Sequence, residues 1–355
     1  MFQSFPVFVL VLIFVGGAVA VWFAGIQLSN TSDILSSRLN LGEALGGLLF
    51  LAIATNLPEI AITATAAVSH NLSIAIGNIL GGIAIQTVVL AAMDAFGLRR
   101  KDALSYRAAS LQVVLEGVLV VAVLVIAIMG TQLPPTLIFV RLAPGDILIV
   151  LVWLVGVWLV GKARTDLPWQ EKGRAPDTLP PADTDKTQSS ESKMAKWSTT
   201  RVVLVFAAAS LVTLVAGVVL EESGNALAQY VGLSGVLFGA TILAAATALP
   251  ELSTGLASVK IGQYGLGFSD IFGGNAFLPV LFLVATLLSG QSVLPQAKNS
   301  DVYLASLGIL LTTVYIYGLI FRPRRQILNM GIDSLVVVVL YIVGIVGLFA
   351  ISNGR

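Results

Sequence analysis

The chain has 355 residues, 57% of them hydrophobic and 11% charged, with a formal net charge of +1 and a mean hydropathy of +0.93. That composition excludes a soluble domain and describes an all-α polytopic membrane protein. Cysteine is absent and His70 is the single histidine. Disulfides, thiolate metal centres and thiol nucleophiles are thereby excluded, and an imidazole-based site has almost nothing to draw on.

The first apolar window, Pro6 to Leu28, lacks the basic n-region of a signal peptide and reads as a transmembrane helix, although Ala18 and Ala20 leave cleavage open. Four more windows long enough to span follow at Leu41 to Val68, Leu72 to Phe96, Ala108 to Met129 and Pro144 to Gly161. Residues 163–200 then carry Pro168, Pro176, Pro180 and Pro181, mixed charge and too few apolar residues for a core, the composition of a flexible linker. Five further windows resume at Arg201 to Leu220, Gly232 to Val259, Gly265 to Leu288, Val302 to Phe321 and Met330 to Ile351. The expected organisation is a five-helix half over 1–162, the linker, and a second half over 201–355.

With ten alternating helices, the breaks on one face hold Arg38, Arg99, Arg100, Lys101, Arg107, the linker's bases, Lys260, Arg322, Arg324 and Arg325. The other face keeps Arg141, Lys298 and Arg355. The positive-inside rule makes the first face, with the linker, cytoplasmic and places both termini outside. Short loops fit a prokaryotic plasma membrane. Net charge gives no reason to expect a nucleic-acid partner; the bilayer and inorganic cations are the expected partners, and a monomer could suffice.

One hexapeptide occurs twice inside this apolar sequence, Ala54 to Glu59 (Ala-Thr-Asn-Leu-Pro-Glu) and Ala246 to Glu251 (Ala-Thr-Ala-Leu-Pro-Glu). Each places a carboxylate at mid-membrane depth, where an ionised side chain costs at least about 2.5 kcal/mol. Pro58 and Pro250 carry no N–H, so the helix opens before each glutamate and leaves the carbonyls of Ala54 and Ala246 without their helical partner. Carboxylate, unpaired carbonyl and threonine hydroxyl together make an oxygen cage for a hard cation.

A shift of 192 positions superposes Gly47 on Gly239, Thr55 on Thr247, Pro58 on Pro250 and Glu59 on Glu251, and without a gap goes on to Ile79 on Ile271, Gly81 and Gly82 on Gly273 and Gly274, and Asn78 on Asp270. Each half holds an odd number of spans, so the second enters the membrane upside down. Two inverted five-helix repeats with helices broken at the midplane are the architecture of secondary transporters. On ideal helices Ala52, Thr55 and Glu59 share one face, as do Asn78, Gly82 and Gln86. The second-half stripes are Ala244, Thr247 and Glu251, then Asp270, Gly274 and Leu278. Together the four would enclose one polar chamber.

These residues resemble the calcium:cation antiporter superfamily, which includes sodium/calcium and cation/proton exchangers. The resemblance covers the two motif regions, 46–90 and 238–282, and the ten-helix plan. It implies that Glu59 and Glu251 are central cation ligands, flanked by Thr55, Thr247 and the carbonyls of Ala52 and Ala244, with Gln86 at the family's Asn/Asp position. Asn78, Asn275 and the motif position Asn56 complete the implied set. The pattern departs at Asn56 and Ala248, where serine is expected, at Gly82 and Gly274, again for serine, and at Leu278 for Asn/Asp. Asp270 adds a carboxylate about 12 Å along the helix from Leu278.

The implied function is antiport of Ca2+ against H+ or Na+, with another divalent or monovalent cation as an open substrate. Two carboxylates facing one desolvated chamber repel until a proton or a cation neutralises one, and the missing oxygens favour proton over sodium coupling. No resident cofactor is expected. A cation channel and a transport-incompetent cation sensor or scaffold stay open as alternatives; an enzyme does not, since no nucleophile, base and electrophile assemble in the sequence. Glu116 reads as a paired structural acid and His70 as a solvated loop residue.

Overall fold

The computed structural model describes residues 2, 5–38, 52–98, 102–163, 197–233, 235–260, 262 and 264–353. The linker over 164–196, the start of the expected second span over 41–51 and the basic run at 99–101 lie outside the described residues.

Among the described residues the fold is helical apart from a two-stranded hairpin. In the first half α1 (Val7–Arg38) is followed by a single turn, α2 (Ala52–Thr55), and then α3 (Leu57–Val68), α4 (Leu72–Gly97), the short α5 (Leu104–Ala108), α6 (Leu111–Thr131) and α7 (Pro144–Ala163). The second half begins with α8 (Thr199–Val231), followed by α9 (Gly235–Phe238), a π-helical stretch at Gly239–Leu243, α10 (Ala244–Thr247) and α11 (Leu249–Lys260). It closes with α12 (Tyr264–Phe277), a 3-10 turn at Leu278–Val280, α13 (Leu281–Ser289), α14 (Asn299–Phe321) and α15 (Ile332–Asn353). Among the described residues eight helices are long and apolar enough to cross a membrane, and the pair Gly239–Thr247 and Leu249–Lys260, bent by 49°, brings the number to nine when counted as one broken span. The second predicted span is represented by α2 and α3, the rest of it lying outside the described residues.

Both motif helices break where the prolines dictate. Asn56 and Ala248 leave the helix, and Leu57-Pro58 and Leu249-Pro250 restart it, proline being tolerated in the first turn because its missing N–H has no partner to lose there. The glutamates thus stand in the first turns of α3 and α11. The π-helical turn just before the second break was not expected from the sequence; there the Thr241 hydroxyl donates to the Leu237 carbonyl at 2.6 Å.

α4 lies at the centre and is buried along nearly its whole length, whereas α1, α7, α8 and α15 turn apolar faces such as Phe8, Phe23, Leu204, Leu211 and Val346 outward, as lipid contact requires. The two halves clasp each other. α1 packs along α8, and the Arg38 guanidinium at the end of α1 donates to the Trp197 carbonyl (2.7 Å) and the Thr199 hydroxyl (3.0 Å) at the start of α8. The two helices therefore run antiparallel although both open a repeat, which is the inversion in physical form.

Each opening helix also lies over the motif of the other half. A Cβ on Gly25 of α1 would overlap the Pro250 ring, and one on Gly217 of α8 would come 3.0 Å from the Pro58 carbonyl and 2.8 Å from Ala61 Cβ. Gly25 and Gly217 are 192 positions apart, so the repeat includes the first helices. At the middle, a Cβ on Gly81 of α4 would collide with the Ala240 backbone, which is how the central helix comes directly against the π-helical turn.

Candidate functional site

The breaks in the two motif helices bring Glu59 and Glu251 into one buried interior, with relative exposures of 0% and 1%. Glu251 lies within electrostatic reach of both Glu59 and Asp270. Neither Glu251 oxygen has a hydrogen-bond partner among the described residues, and Glu59 Oε2 has none either. Leaving a carboxylate ionised in such a place costs several kcal/mol per ion. A proton or a cation can meet that demand, since among the described residues no Lys, Arg or His pairs with either glutamate.

The surroundings of the two glutamates differ. Gln86 of α4 donates through Nε2 to Glu59 Oε1 at 3.5 Å, a long contact, and its own Oε1 lacks a partner. The Thr247 hydroxyl, from the opposite repeat, stands between Glu59 and the Ala244 carbonyl, 3.2 Å away. Gly274 leaves room for this cluster: a Cβ there would sit 3.0 Å from Asn56 Nδ2 and 3.6 Å from Gln86 Oε1. Two departures from the family motif, asparagine for serine at 56 and glycine for serine at 274, therefore meet in space, and the Asn56 amide takes volume that a residue 274 side chain would fill. Thr55 is likewise buried.

The mirror position is apolar. Ala248 replaces Asn56, Leu278 replaces Gln86, and a Cβ on Gly82 would meet Leu278 Cδ1 at 3.4 Å. The chamber has one polar flank and one greasy one. Asp270 lies farther along α12 and accepts from the Thr254 hydroxyl at 2.9 Å. Among the described residues no three acidic or imidazole side chains converge tightly enough to chelate one ion, so Asp270 does not close a three-carboxylate cage.

Two implied ligands are otherwise engaged. The Ala244 carbonyl already accepts from the Ala248 N–H (3.0 Å) and the Thr247 hydroxyl (3.2 Å), filling both lone pairs. Asn275 turns its Nδ2 to α4, donating to the Ile83 carbonyl (3.4 Å) and the Thr87 hydroxyl (3.2 Å). Asn78 is fully buried, and among the described residues neither amide atom has a hydrogen-bond partner. Ala52 lies in the α2 turn, at the margin of the described residues.

Outside the chamber, Glu116 accepts from Gln112 one turn away (2.6 Å), and His70 is an exposed loop residue with φ of 55°. Asp94 is a clamp that sequence reading did not identify. It accepts from the N–H groups of Leu104 (2.8 Å) and Gly331 (2.6 Å) and from the Ser334 hydroxyl (2.7 Å), tying α4 to α5, the hairpin (Gln326–Ile327 paired with Met330–Gly331) and α15. Trp153 packs on Phe277, while Trp197 stacks under Arg201.

Comparison with known proteins places this architecture. The family model described as sodium/calcium exchanger protein matches residues 8–161 and 201–350. CaxA of Alkalimonas amylolytica is 29% identical over 310 residues, 86% of this chain and 89% of that protein. Inner membrane protein YrbG of Escherichia coli is 24% identical over 287 residues, covering 80% and 82%. Among solved structures, the H+/Ca2+ exchanger CAX superposes with a TM-score of 0.65 at 14% identity, over 96% of this chain and 82% of that one. The sodium-calcium exchanger NCX_Mj, soaked with 100 mM Na+ and 10 mM Sr2+, superposes with a TM-score of 0.60 at 15% identity, over 99% and 100%. At those identities the structural likeness speaks for the fold, and the sequence match speaks for descent. With two broken motif helices around paired glutamates and a family model covering both halves, the chain belongs to the sodium/calcium exchanger family, as an integral membrane cation exchanger.

Proposed function

We propose that this protein is a secondary active antiporter that exchanges Ca2+ for protons across the membrane through Glu59 and Glu251, Na+ being the alternative counter-ion. The observation that carries this reading is the pair of buried glutamates with three of four oxygens unpartnered. Such oxygens are what a hard divalent cation binds, at about 2.3–2.6 Å.

Chemistry then gives the coupling. Ca2+ entering the chamber meets Glu59 and Glu251, with the Thr55 and Thr247 hydroxyls and the Asn56 and Gln86 amide oxygens as neutral donors. It displaces whatever protons the carboxylates held. The empty, doubly ionised chamber is too costly to carry across, so each passage moves either the cation or protons. Sodium coupling would need several weak oxygen sites at once, and the Leu278, Ala248 and Gly82 flank offers none from its side chains. CaxA carries the name of a candidate antiporter, and CAX that of an H+/Ca2+ exchanger. The arginine and lysine distribution supports a cytoplasmic linker with both termini outside.

The test is 45Ca2+ uptake into proteoliposomes under an imposed pH gradient and, separately, a Na+ gradient, with Glu59→Gln and Glu251→Gln as controls. Uptake driven by the pH gradient and lost in both variants is the expected result. Sodium-driven uptake would reassign the counter-ion. No gradient-driven uptake of Ca2+ would sink the calcium antiport reading.

A further inference from the structure

Most residues around the glutamates have a mate 192 positions away, so a perfectly repeated exchanger would offer the cation two equivalent routes, one to each face. The repeat breaks at two positions that meet in space. Thr254 stands where the first half has Ile62, and Asp270 where it has Asn78. At these positions the first-half route has a neutral amide and an apolar side chain. The second-half route carries a carboxylate beside a hydroxyl.

The two lie close to Glu251. Thr254 is one turn beyond Glu251 on α11, and its Oγ1 lies 3.2 Å from the Glu251 carbonyl and 2.9 Å from Asp270 Oδ2. The hydroxyl has one hydrogen, and the shorter contact and the charge direct it to Asp270. Along the helices, Asp270 is six residues from the start of α12 and Glu251 nine from the end of α11. At 1.5 Å per residue these are about 9 and 14 Å from the helix ends at Tyr264 and Lys260, so along the helices Asp270 is nearer to those ends than the central carboxylate is. Both Asp270 and Thr254 are more than nine-tenths buried, and Glu251, within electrostatic reach, has two unpartnered oxygens. The charges along this route are thus Glu59, Glu251 and Asp270, with Lys260 exposed at its mouth.

We infer that Asp270, oriented by Thr254, is a cation-capture group on one route alone, making the exchanger bind its divalent cation more tightly from the 260–264 side than from the opposite side. It rests on the antiport reading and adds sidedness to it. A carboxylate on a route with low-dielectric walls raises the local concentration of a divalent cation, and an amide at the mirror position does not. The basic-residue distribution makes the 260–264 side cytoplasmic.

The experiment measures the half-saturating Ca2+ concentration separately at each face, in right-side-out and inside-out vesicles. Asp270→Asn is expected to raise it about tenfold on the 260–264 side and to leave the other side within about twofold. Thr254→Val should act in the same direction and more weakly, and Asn78→Asp should lower the value on the opposite side alone. Equal effects on both faces, or none, overturn the inference. If the wild type shows no gradient-driven Ca2+ flux, the antiport reading fails, and a second measurement still decides this one. In this cysteine-free chain, Asp270→Cys can be labelled with a membrane-impermeant methanethiosulfonate from either side. Labelling from the 260–264 side only, slowed by Ca2+, supports the capture role. Labelling from the opposite side, no labelling, or indifference to Ca2+ refutes it.

Discussion

Adding one methyl group at Gly217 or at Gly25 should loosen the clasp between the halves, by an amount the structure sets. The Gly217→Ala methyl would stand 2.8 Å from Ala61 Cβ and 3.0 Å from the Pro58 carbonyl, and the Gly25→Ala methyl 2.7 Å from Pro250 Cγ. Carbon pairs are comfortable at about 3.5–4.0 Å, so each helix must back away by roughly 1 Å. Neither proline can yield, since its ring is fused to the backbone. Overpacking of this kind costs about 1–3 kcal/mol. Alanine regains up to about 1 kcal/mol of helix propensity over glycine, and this must be subtracted. Gly16→Ala supplies the correction, because a methyl on Gly16, in the same helix as Gly25, meets nothing within 4 Å. Thermal unfolding in detergent, followed by tryptophan fluorescence, should place Gly25→Ala and Gly217→Ala several degrees below Gly16→Ala, at about 2–4 °C per kcal/mol. Gly25→Ala, whose methyl would come closer still to Pro250 Cβ, should fall at least as far as Gly217→Ala. Variants as stable as Gly16→Ala would refute the clasp and the pseudosymmetric pairing of glycine with proline.

Three further outcomes are expected. Saturating Ca2+ should stabilise the wild type by about 2.7 kcal/mol at one hundred times its Kd, seen as a raised unfolding temperature that is absent in a Glu59→Gln/Glu251→Gln double variant. Because Ca2+ and protons compete for the same two carboxylates, apparent Ca2+ affinity should fall as pH falls, by up to about tenfold per pH unit for each proton displaced, as read by 45Ca2+ binding to purified protein. Asn275→Leu removes two hydrogen bonds to α4 and should cost about 1–2 kcal/mol of stability while leaving Ca2+ affinity unchanged, which calorimetry and binding on one preparation would separate.

The membrane class, the repeat and the paired glutamates were legible in the sequence because each rests on a local signal: windows of apolar residues, and proline beside an acid where neither is cheap. The break at Asn56 and Ala248 follows from proline's missing N–H alone. What escaped is what depends on contacts between halves. The offset that matched Glu59 with Glu251 also matches Ala24-Gly25 with Ala216-Gly217 and Leu28 with Leu220, a signal present in the sequence but stopped short at the motif. Likewise the departures at 56 and 274 look like two separate losses in one dimension and form one amide-filled space in three. Asp94 could be read as an entrance residue, since nothing local foretells that three donors from α5, the hairpin and α15 converge on it. The direction of Asn275 is settled by a carbonyl and a hydroxyl on α4, not by its place in the motif.

Asn275 donates to the carbonyl of Ile83, and these two residues are themselves 192 apart. A residue that touches its own counterpart lies on the axis relating the halves. Two identical five-helix chains paired head to tail would be forced to put the same side chain on both sides of that axis, either two isoleucines or two asparagines. A single chain carrying both halves is free of that constraint, and isoleucine meets asparagine there. The differences between mates at 78 and 270, 86 and 278, and 62 and 254 have the same origin. Covalent fusion of the halves is what lets an almost symmetric machine have a direction.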